Sequence, residues 1–479
     1  MKRFFALLAF CVALGLCFWL FYGNENQEDV SMKEIAILSV NDAHSNIDMF
    51  PQFAALVDSL RGVYPDLLLF SAGDNRTGNP VNDQYNPVNA PMIALMNKVG
   101  FDVSAVGNHE WDGNVDALRQ NLQDAHFPIL CATVFIPDAL ALDIKPYVVI
   151  ENQGVKVAVV GLLEVRHDGI PGAHPSNFTQ VRFKRGIDVL PEYRFLREEC
   201  DVMIALSHLG YEDDLELAQS APYLDEIIGG HSHTLVEQPS VCNGVLVTQA
   251  GSHLKYATLS ILKVKDGKVV EKSATNLDVR RVKSENPEFR AAVDAYNDTP
   301  FLNEAIAEAK SQFNTPETLG CLITDALCEL SGADFAFQNT CGVRVRSLDA
   351  GPITVKDVYT VDPFNNDVVV FTMTGEQVEL FILDTYRKNG RFPSYVSGMS
   401  YQIEKDGSGR EKGARISLEK GKFSKSAKYK VAINSYMAST VHIESLDDGT
   451  SQFMTSEEMV IAYLRKHKVV DYYGLNRVR

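Results

Sequence analysis

The chain lacks the residue groups that define several common functional classes. Eight cysteines in 479 residues include no CxxC pair: Cys11 and Cys17 lie in an apolar N-terminal stretch, and the other six are scattered from Cys131 to Cys341. A thiolate zinc site, a thioredoxin-like centre and a disulfide scaffold are therefore excluded, and the thiols are expected to be buried and apolar. No GxxxxGK loop and no GxSxG elbow occurs, which removes a P-loop NTPase and a serine hydrolase. HEWD at 109–112 does not have the HExxH spacing of zinc peptidases. Positive charge is scarce as well, with 45 Lys and Arg against 62 Asp and Glu and a net charge of −17. Nucleic acid is not an expected partner, and a small anionic ligand needs a local cationic site. Internal repeats and low-complexity tracts are absent from the sequence.

The composition is that of a globular protein, 46% apolar and 22% charged, and the length suits two domains. Lys2 and Arg3 precede an uncharged run from Phe4 to Tyr22, followed by the polar stretch GNENQEDV. That order reads as an export signal. The run approaches the length that spans a bilayer and has no clean small-x-small cleavage site, so residues 1–30 are expected to be a signal peptide or a membrane anchor. Leu14-Gly15-Leu16 before Cys17 only loosely resembles a lipoprotein signal, because Leu16 is bulky. The expected location is periplasmic or at the cell surface, with anchoring by membrane or lipid.

From Glu34 to about Asp278, short apolar runs alternate with amphipathic segments, as in sheets covered by helices. Strands are expected at 35–40, 67–72, 101–106, 155–163, 201–206 and 244–249, and helices at Phe50–Arg61 and Pro91–Val99. Residues 279–310 read as a helical linker with exposed faces. A second unit, 311–479, is expected to hold a helix at 319–330 and strands at 367–375 and 429–434. The polar, glycine-rich DGSGREKG (406–413) reads as a solvated hairpin loop.

The chemistry lies where metal-capable residues fall. Asp42 and His44 follow the first strand, Asp74 the second, and Asn108 and His109 the third; His208 follows the 201–206 strand, and His231 and His233 follow EIIGG (226–230). In α/β architectures the carboxyl edge of the sheet collects functional loops, so these residues can converge. Carboxylate, amide and imidazole donors together suit zinc, manganese, iron or similar divalent ions, and Asp74 could bridge two of them. Two ions about 3.5–4 Å apart stabilise both the attacking and the leaving oxygen of a phosphoryl displacement.

NDAHSN (41–46), AGDNRTG (72–78), GNHEWD (107–112), SHLG (207–210) and GGHSH (229–233) resemble, in order, the signature blocks of the calcineurin-like metallophosphoesterases, specifically the two-domain 5′-nucleotidase branch. NTCGVR (339–344) and 351–375 extend the resemblance into the second unit. The resemblance implies an α/β fold: a four-layer αββα metallophosphoesterase sandwich over 33–278 and a smaller α/β substrate-binding domain. It implies that Asp42, His44, Asp74 and His233 hold one metal ion and that Asp74, Asn108, His208 and His231 hold the other. It further implies a catalytic pair, with His109 protonating the leaving alkoxide and Asp112 orienting it, while hydroxide generated at the ions attacks phosphorus. Glu110 is expected to support the site or to face solvent rather than to ligate. His126, His167, His174, His442 and His467 are expected to be structural, and so, less firmly, is His253.

In the second unit the resemblance implies that Arg344 contacts the substrate, that Phe364 in DPFNN stacks a base, and that Tyr436 is the nearest surviving second aromatic. The chain departs from the family where FNTPETLGCL (313–322) has no arginine and where STVHIESLDDG (439–449) replaces a glycine-rich block. The expected activity is hydrolysis of 5′-nucleotides or related small phosphate esters, with weaker discrimination among bases. The alternatives are a UDP-sugar or 2′,3′-cyclic-nucleotide phosphodiesterase, or a ligand-binding surface protein with a vestigial phosphatase core.

Overall fold

Strand Lys33–Val40 sets the pattern of the N-terminal half: Ile35 and Ile37 enter one core, and Ala36, Leu38 and Val40 enter another. Successive side chains of a strand leave opposite faces, so an unbroken apolar run marks a strand buried on both sides. Val155–Leu163 and Val202–His208 are buried in the same way. The computed structural model describes residues 32–478 apart from 113 and 419–420. The expected export segment lies outside the described residues.

Two six-stranded sheets build this half. One runs Lys268–Asp278, Tyr256–Lys265, Lys33–Val40, Leu68–Ser71, Val103–Ala105, Ile129–Leu130, and the other runs Ser240–Cys242, Val245–Thr248, Glu226–Ile228, Val202–His208, Val155–Leu163, Tyr147–Asn152. Their inner faces meet through Ile35, Ile37 and Phe70 on one side and Val157, Val159, Ile204 and Leu206 on the other. Each such side chain, fully buried, contributes about 1.5–3 kcal/mol. Phe53 and Val57 of helix Phe50–Arg61 and Met96 of helix Ala90–Val99 cover the first sheet, while Leu190, Leu196 and Leu217 cover the second. The result is the expected four-layer αββα sandwich. The central strands of each sheet are parallel, so their carboxyl ends share one edge.

The C-terminal half holds a five-stranded sheet, ordered Tyr395–Ser397, Phe335–Gln338, Lys428–Asn434, Asp367–Thr374, Thr450–Thr455, and a three-stranded one. Helix Pro316–Ser331 packs on the five-stranded sheet and against helix Ser456–His467, with Leu319, Leu322 and Ala326 buried. Thr354, Thr374 and Thr455 each close a capping box, a reciprocal pairing of amides and side chains that defines a helix start. Residues 406–410 turn the hairpin between Met399–Lys405 and Glu411–Leu418.

The stretch 279–310 differs from a linker with exposed faces. Helix Pro287–Asn297 buries Phe289 and Val293, and Phe289 stacks on Phe50 at 6.4 Å between ring centroids. Ala305–Ala309 is a strand, paired with Gly351–Thr354 and Val469–Val470. Its small side chains leave only a faint period-two pattern, and its partners are remote in sequence.

Candidate active site

The shared carboxyl edge carries the candidate ligands, and there the backbone is held in unusual conformations. Asp42, His44, Asp74, His231 and His233 all have φ between 47° and 75°. Non-glycine residues are rare in this region, and packing must hold them there. Glycines make room for the convergence: a Cβ on Gly107 would lie 2.2 Å from Asp74 Oδ1, and one on Gly230 would lie 2.9 Å from His208 Nδ1. His208 differs slightly from expectation, being the last residue of its strand rather than a loop residue.

Asp42, His44 and His233 form one cluster. His44 Nδ1 lies 2.8 Å from the Thr77 carbonyl, to which it donates, leaving Nε2 with a lone pair. That nitrogen faces His233 Nε2 at 2.8 Å, and Asp42 Oδ1 lies 3.4 Å from the latter. Asp74, His208 and His231 form a second cluster. His208 Nδ1 donates to the Ala72 carbonyl, and its buried Nε2 sits 3.1 Å from Asp74 Oδ2. Asn108 Oδ1 joins this group 3.0 Å from His231 Nδ1. Asp74 stands between the clusters, because it also groups with His44 and His109.

The electrostatics call for a cation. Asp42 and Asp74 are buried, and their ion-pair partners among the described residues are all histidines. Burial acts to lower His208, yet the Asp74 carboxylate outweighs it and raises the imidazole to about 10. Burial, reinforced by His208, takes His231 down to about 4, and burial with His109 holds His44 well below the usual range. Buried carboxylates beside imidazoles whose second nitrogens are fixed, those of His44 and His208 by backbone carbonyls, fit a divalent metal.

Beside the clusters, His109 Nδ1 is 2.6 Å from Asp112 Oδ2, which also accepts the Thr77 hydroxyl at 2.8 Å. Burial acts to lower His109, but Asp112 and Asp74 prevail and the imidazole is raised above its ordinary value. Glu110 accepts the amides of Asp74, Asn75 and Gly107 at 3.0, 2.7 and 2.6 Å, a supporting role as expected.

Asp74, Asn108, His109, Asp112, His231 and His233 line a cavity of about 610 Å³ that Arg344, Phe364 and Tyr436 line from the C-terminal half. The Phe364 ring stacks on His109 at 6.1 Å, with the Arg344 guanidinium 5.6 Å above it. The departing segments 313–322 and 439–449 contribute no lining residue among those described; Phe313 is instead core, stacked on Tyr472.

Several contributors are not evident in the sequence. Glu164 and Arg166 follow strand Val155–Leu163 at the same carboxyl edge; Arg166 Nη1 donates to the Tyr436 hydroxyl at 3.3 Å, and Glu164 is raised to about 7 by burial. The edge rule that picks out the ligands would have found both. Asp83 accepts the amides of Thr77, Gly78 and Asn79. His253 lies at the site rather than apart from it, its ring 5.2 Å from His44 and its amide donating to the Asp42 carbonyl at 2.7 Å. His174 also lines the cavity.

A family model described as calcineurin-like phosphoesterase matches residues 35–235, and one described as 5′-nucleotidase, C-terminal domain, matches 298–442. Protein UshA of Yersinia enterocolitica is 28% identical over 91% of this chain and 92% of its own length. A 5′-nucleotidase of Vibrio parahaemolyticus is 28% identical over 87% of this chain and 84% of its own length. The structure of a 5′-nucleotidase precursor from Thermus thermophilus superposes with a TM-score of 0.78 at 25% identity, over 93% of this chain and 99% of that one.

Proposed function

The chain belongs to the two-domain 5′-nucleotidase family of calcineurin-like phosphoesterases and is a metal-dependent phosphohydrolase; from that premise we propose that it hydrolyses 5′-nucleotides and related small phosphate esters at two divalent ions. The observation that carries this reading is the pair of ligand clusters joined at Asp74 beneath a cavity that both halves line. Asp42, His44, Asp74 and His233 would hold one ion, and Asp74, Asn108, His208 and His231 the other, with zinc, manganese or iron suited to the donor set. When bound, the ions supply the Lewis-acid charge that makes water a nucleophile near neutral pH.

The chain's own residues account for the remaining roles. His109 keeps a proton at Nε2 because Asp112 holds Nδ1, and it gives that proton to the leaving alkoxide. Arg344 adds fixed positive charge beside the reacting phosphate, and Phe364 presents a ring face for a base, with Tyr436 as the second aromatic of the cavity. The unbroken set of donors opposes a vestigial core. A second reading, a pyrophosphate ester such as a UDP-sugar, draws support from Arg166, a further guanidinium facing the same cavity. A panel of AMP, a UDP-sugar, a cyclic nucleotide and a simple phosphomonoester, each with several divalent metals, decides between them. The nucleotide reading expects the highest kcat/KM on AMP and none after chelation, and a preference for the UDP-sugar would replace it with the second reading.

We also infer export, on the strength of Lys2, Arg3 and the apolar run at 4–22. Among the described residues no helix is long and apolar enough to cross a membrane.

A further inference from the structure

Behind the wall that carries Phe364, two buried carboxyls take no part in the chemistry described so far. Asp362 follows helix Val355–Val361, and Glu457 lies in the first turn of helix Ser456–His467; their exposures are 2% and 0%. Between helix Val355–Val361 and strand Asp367–Thr374 the chain runs through residues 363–366, and the two carboxyls hold consecutive amides of that loop. The Phe364 amide donates to the Asp362 carboxyl, and the Asn365 amide donates to Glu457 Oε1 at 2.7 Å. Ser456 adds its hydroxyl to Asp362 Oδ2 at 2.8 Å and its amide to the Asn366 carbonyl at 2.9 Å.

The two carboxyls lie against each other, and one oxygen of each, Asp362 Oδ1 and Glu457 Oε2, is buried without a hydrogen-bond donor. Two carboxylates have no hydrogen between them, so this contact requires one shared proton. No lysine or arginine is among the groups that act on the pair. Tyr359, on helix Val355–Val361, and Glu458, next to Glu457, add no positive charge, and the cations of the two adjoining helices are engaged elsewhere: Lys356 on Asn297, Arg465 on Glu304, and Lys466 and His467 on Glu329.

We propose that Asp362 and Glu457, sharing one proton, are positioning residues that hold the 363–366 loop so that the Phe364 ring meets the organic part of the substrate. The inference rests on the nucleotide reading of the cavity. Burial raises Asp362 to about 6, and burial together with Asp362 raises Glu457 well above the usual carboxyl range. Loss of the shared proton at alkaline pH buries two unneutralised charges, and release of the loop relieves them. Binding of the organic part then weakens, while the candidate metal ligands, none of which belongs to the loop, keep their places.

The test measures KM and kcat for AMP and for 4-nitrophenyl phosphate, which carries no base, from neutral to alkaline pH. In the wild-type enzyme KM for AMP is expected to rise with pH while KM for 4-nitrophenyl phosphate keeps its level. Glu457→Gln, which replaces the shared proton with a permanent amide donor, should keep the neutral-pH KM and lose the alkaline rise. Glu457→Ala should raise KM for AMP about 5- to 150-fold, the range spanned by one lost base stack, with kcat little changed. The same pH profile of KM in wild type and Glu457→Gln overturns the inference, a comparison that stands even if the alanine variant does not fold. AMP preference with an unchanged KM in Glu457→Ala overturns this inference alone. No AMP preference in the wild-type enzyme overturns the nucleotide reading and this inference with it.

Discussion

At the scale of the residue, the chemistry turns on which ring nitrogens carry protons. His44 and His208 spend one nitrogen on a backbone carbonyl and turn the other inward, whereas His109 spends one on Asp112, whose charge with that of Asp74 outweighs burial and raises the imidazole. His109→Ala is therefore expected to leave metal content intact and to lower kcat on AMP about 10²–10⁴-fold, the usual range for a positioned proton donor. The loss should shrink on an activated aryl phosphate, whose leaving group needs no proton. Equal losses on AMP and 4-nitrophenyl phosphate would remove the acid role. The candidate ligands were legible because they fall in short blocks after apolar runs. Asp83 and Glu110 were less so, because nothing in the local sequence separates a carboxylate that accepts three loop amides from one in water. His253 could be read either as structural or as lining the site, for a related reason: its approach to His44 is set by a backbone bond to Asp42, more than two hundred residues away.

At the scale of the element, the parallel central strands deliver loops to one edge and the glycines let those loops touch. Gly107→Ala places a methyl group against Asp74 Oδ1 and should weaken metal affinity about 10- to 100-fold, the range for a disturbed supporting shell, with the far-UV CD spectrum unchanged. Unaltered affinity would mean that the loop yields. The two sheets also meet at a buried acid: Glu226, on one sheet, accepts the Ser260 hydroxyl from the other. Burial raises its carboxyl to about 7, the Ser260 bond opposing in part. Because the folded value lies above the unfolded one, this group's contribution is fully present below about pH 4 and is lost as pH rises through 7, to a total of about 3 kcal/mol. Glu226→Gln should flatten the decline in the urea midpoint between pH 5.5 and 8.5, and a decline as steep as in wild type would contradict this. The long apolar strands were legible from pattern alone, since burial on both faces leaves an unbroken run. Ala305–Ala309 was not: apart from Ile306 its residues are alanine or glutamate, and it acquires strand character only from distant partners.

At the scale of the whole molecule, the cavity belongs to neither half alone. The N-terminal half supplies the metal-type residues and His109, the proposed proton donor, and the C-terminal half supplies Arg344, Phe364 and Tyr436. The sequence departures at 313–322 and 439–449 suggested a loosened base site, but both segments lie away from the cavity lining, so the case for lost base discrimination weakens. For the N-terminal segment, full-length native protein is expected in the membrane fraction, and deletion of residues 1–30 should yield a soluble, active enzyme, because no site residue lies there. Full-length protein recovered from the cytosol would rule out export. The most direct test of the central claim is the metal content and AMP hydrolysis of one chelated and reloaded sample, measured for wild type and for Asp74→Asn. A dinuclear site bridged by Asp74 predicts about two divalent ions per wild-type chain, activity that returns only with them, and loss of both ions' binding together in the variant; full metal content and full activity in Asp74→Asn would contradict it.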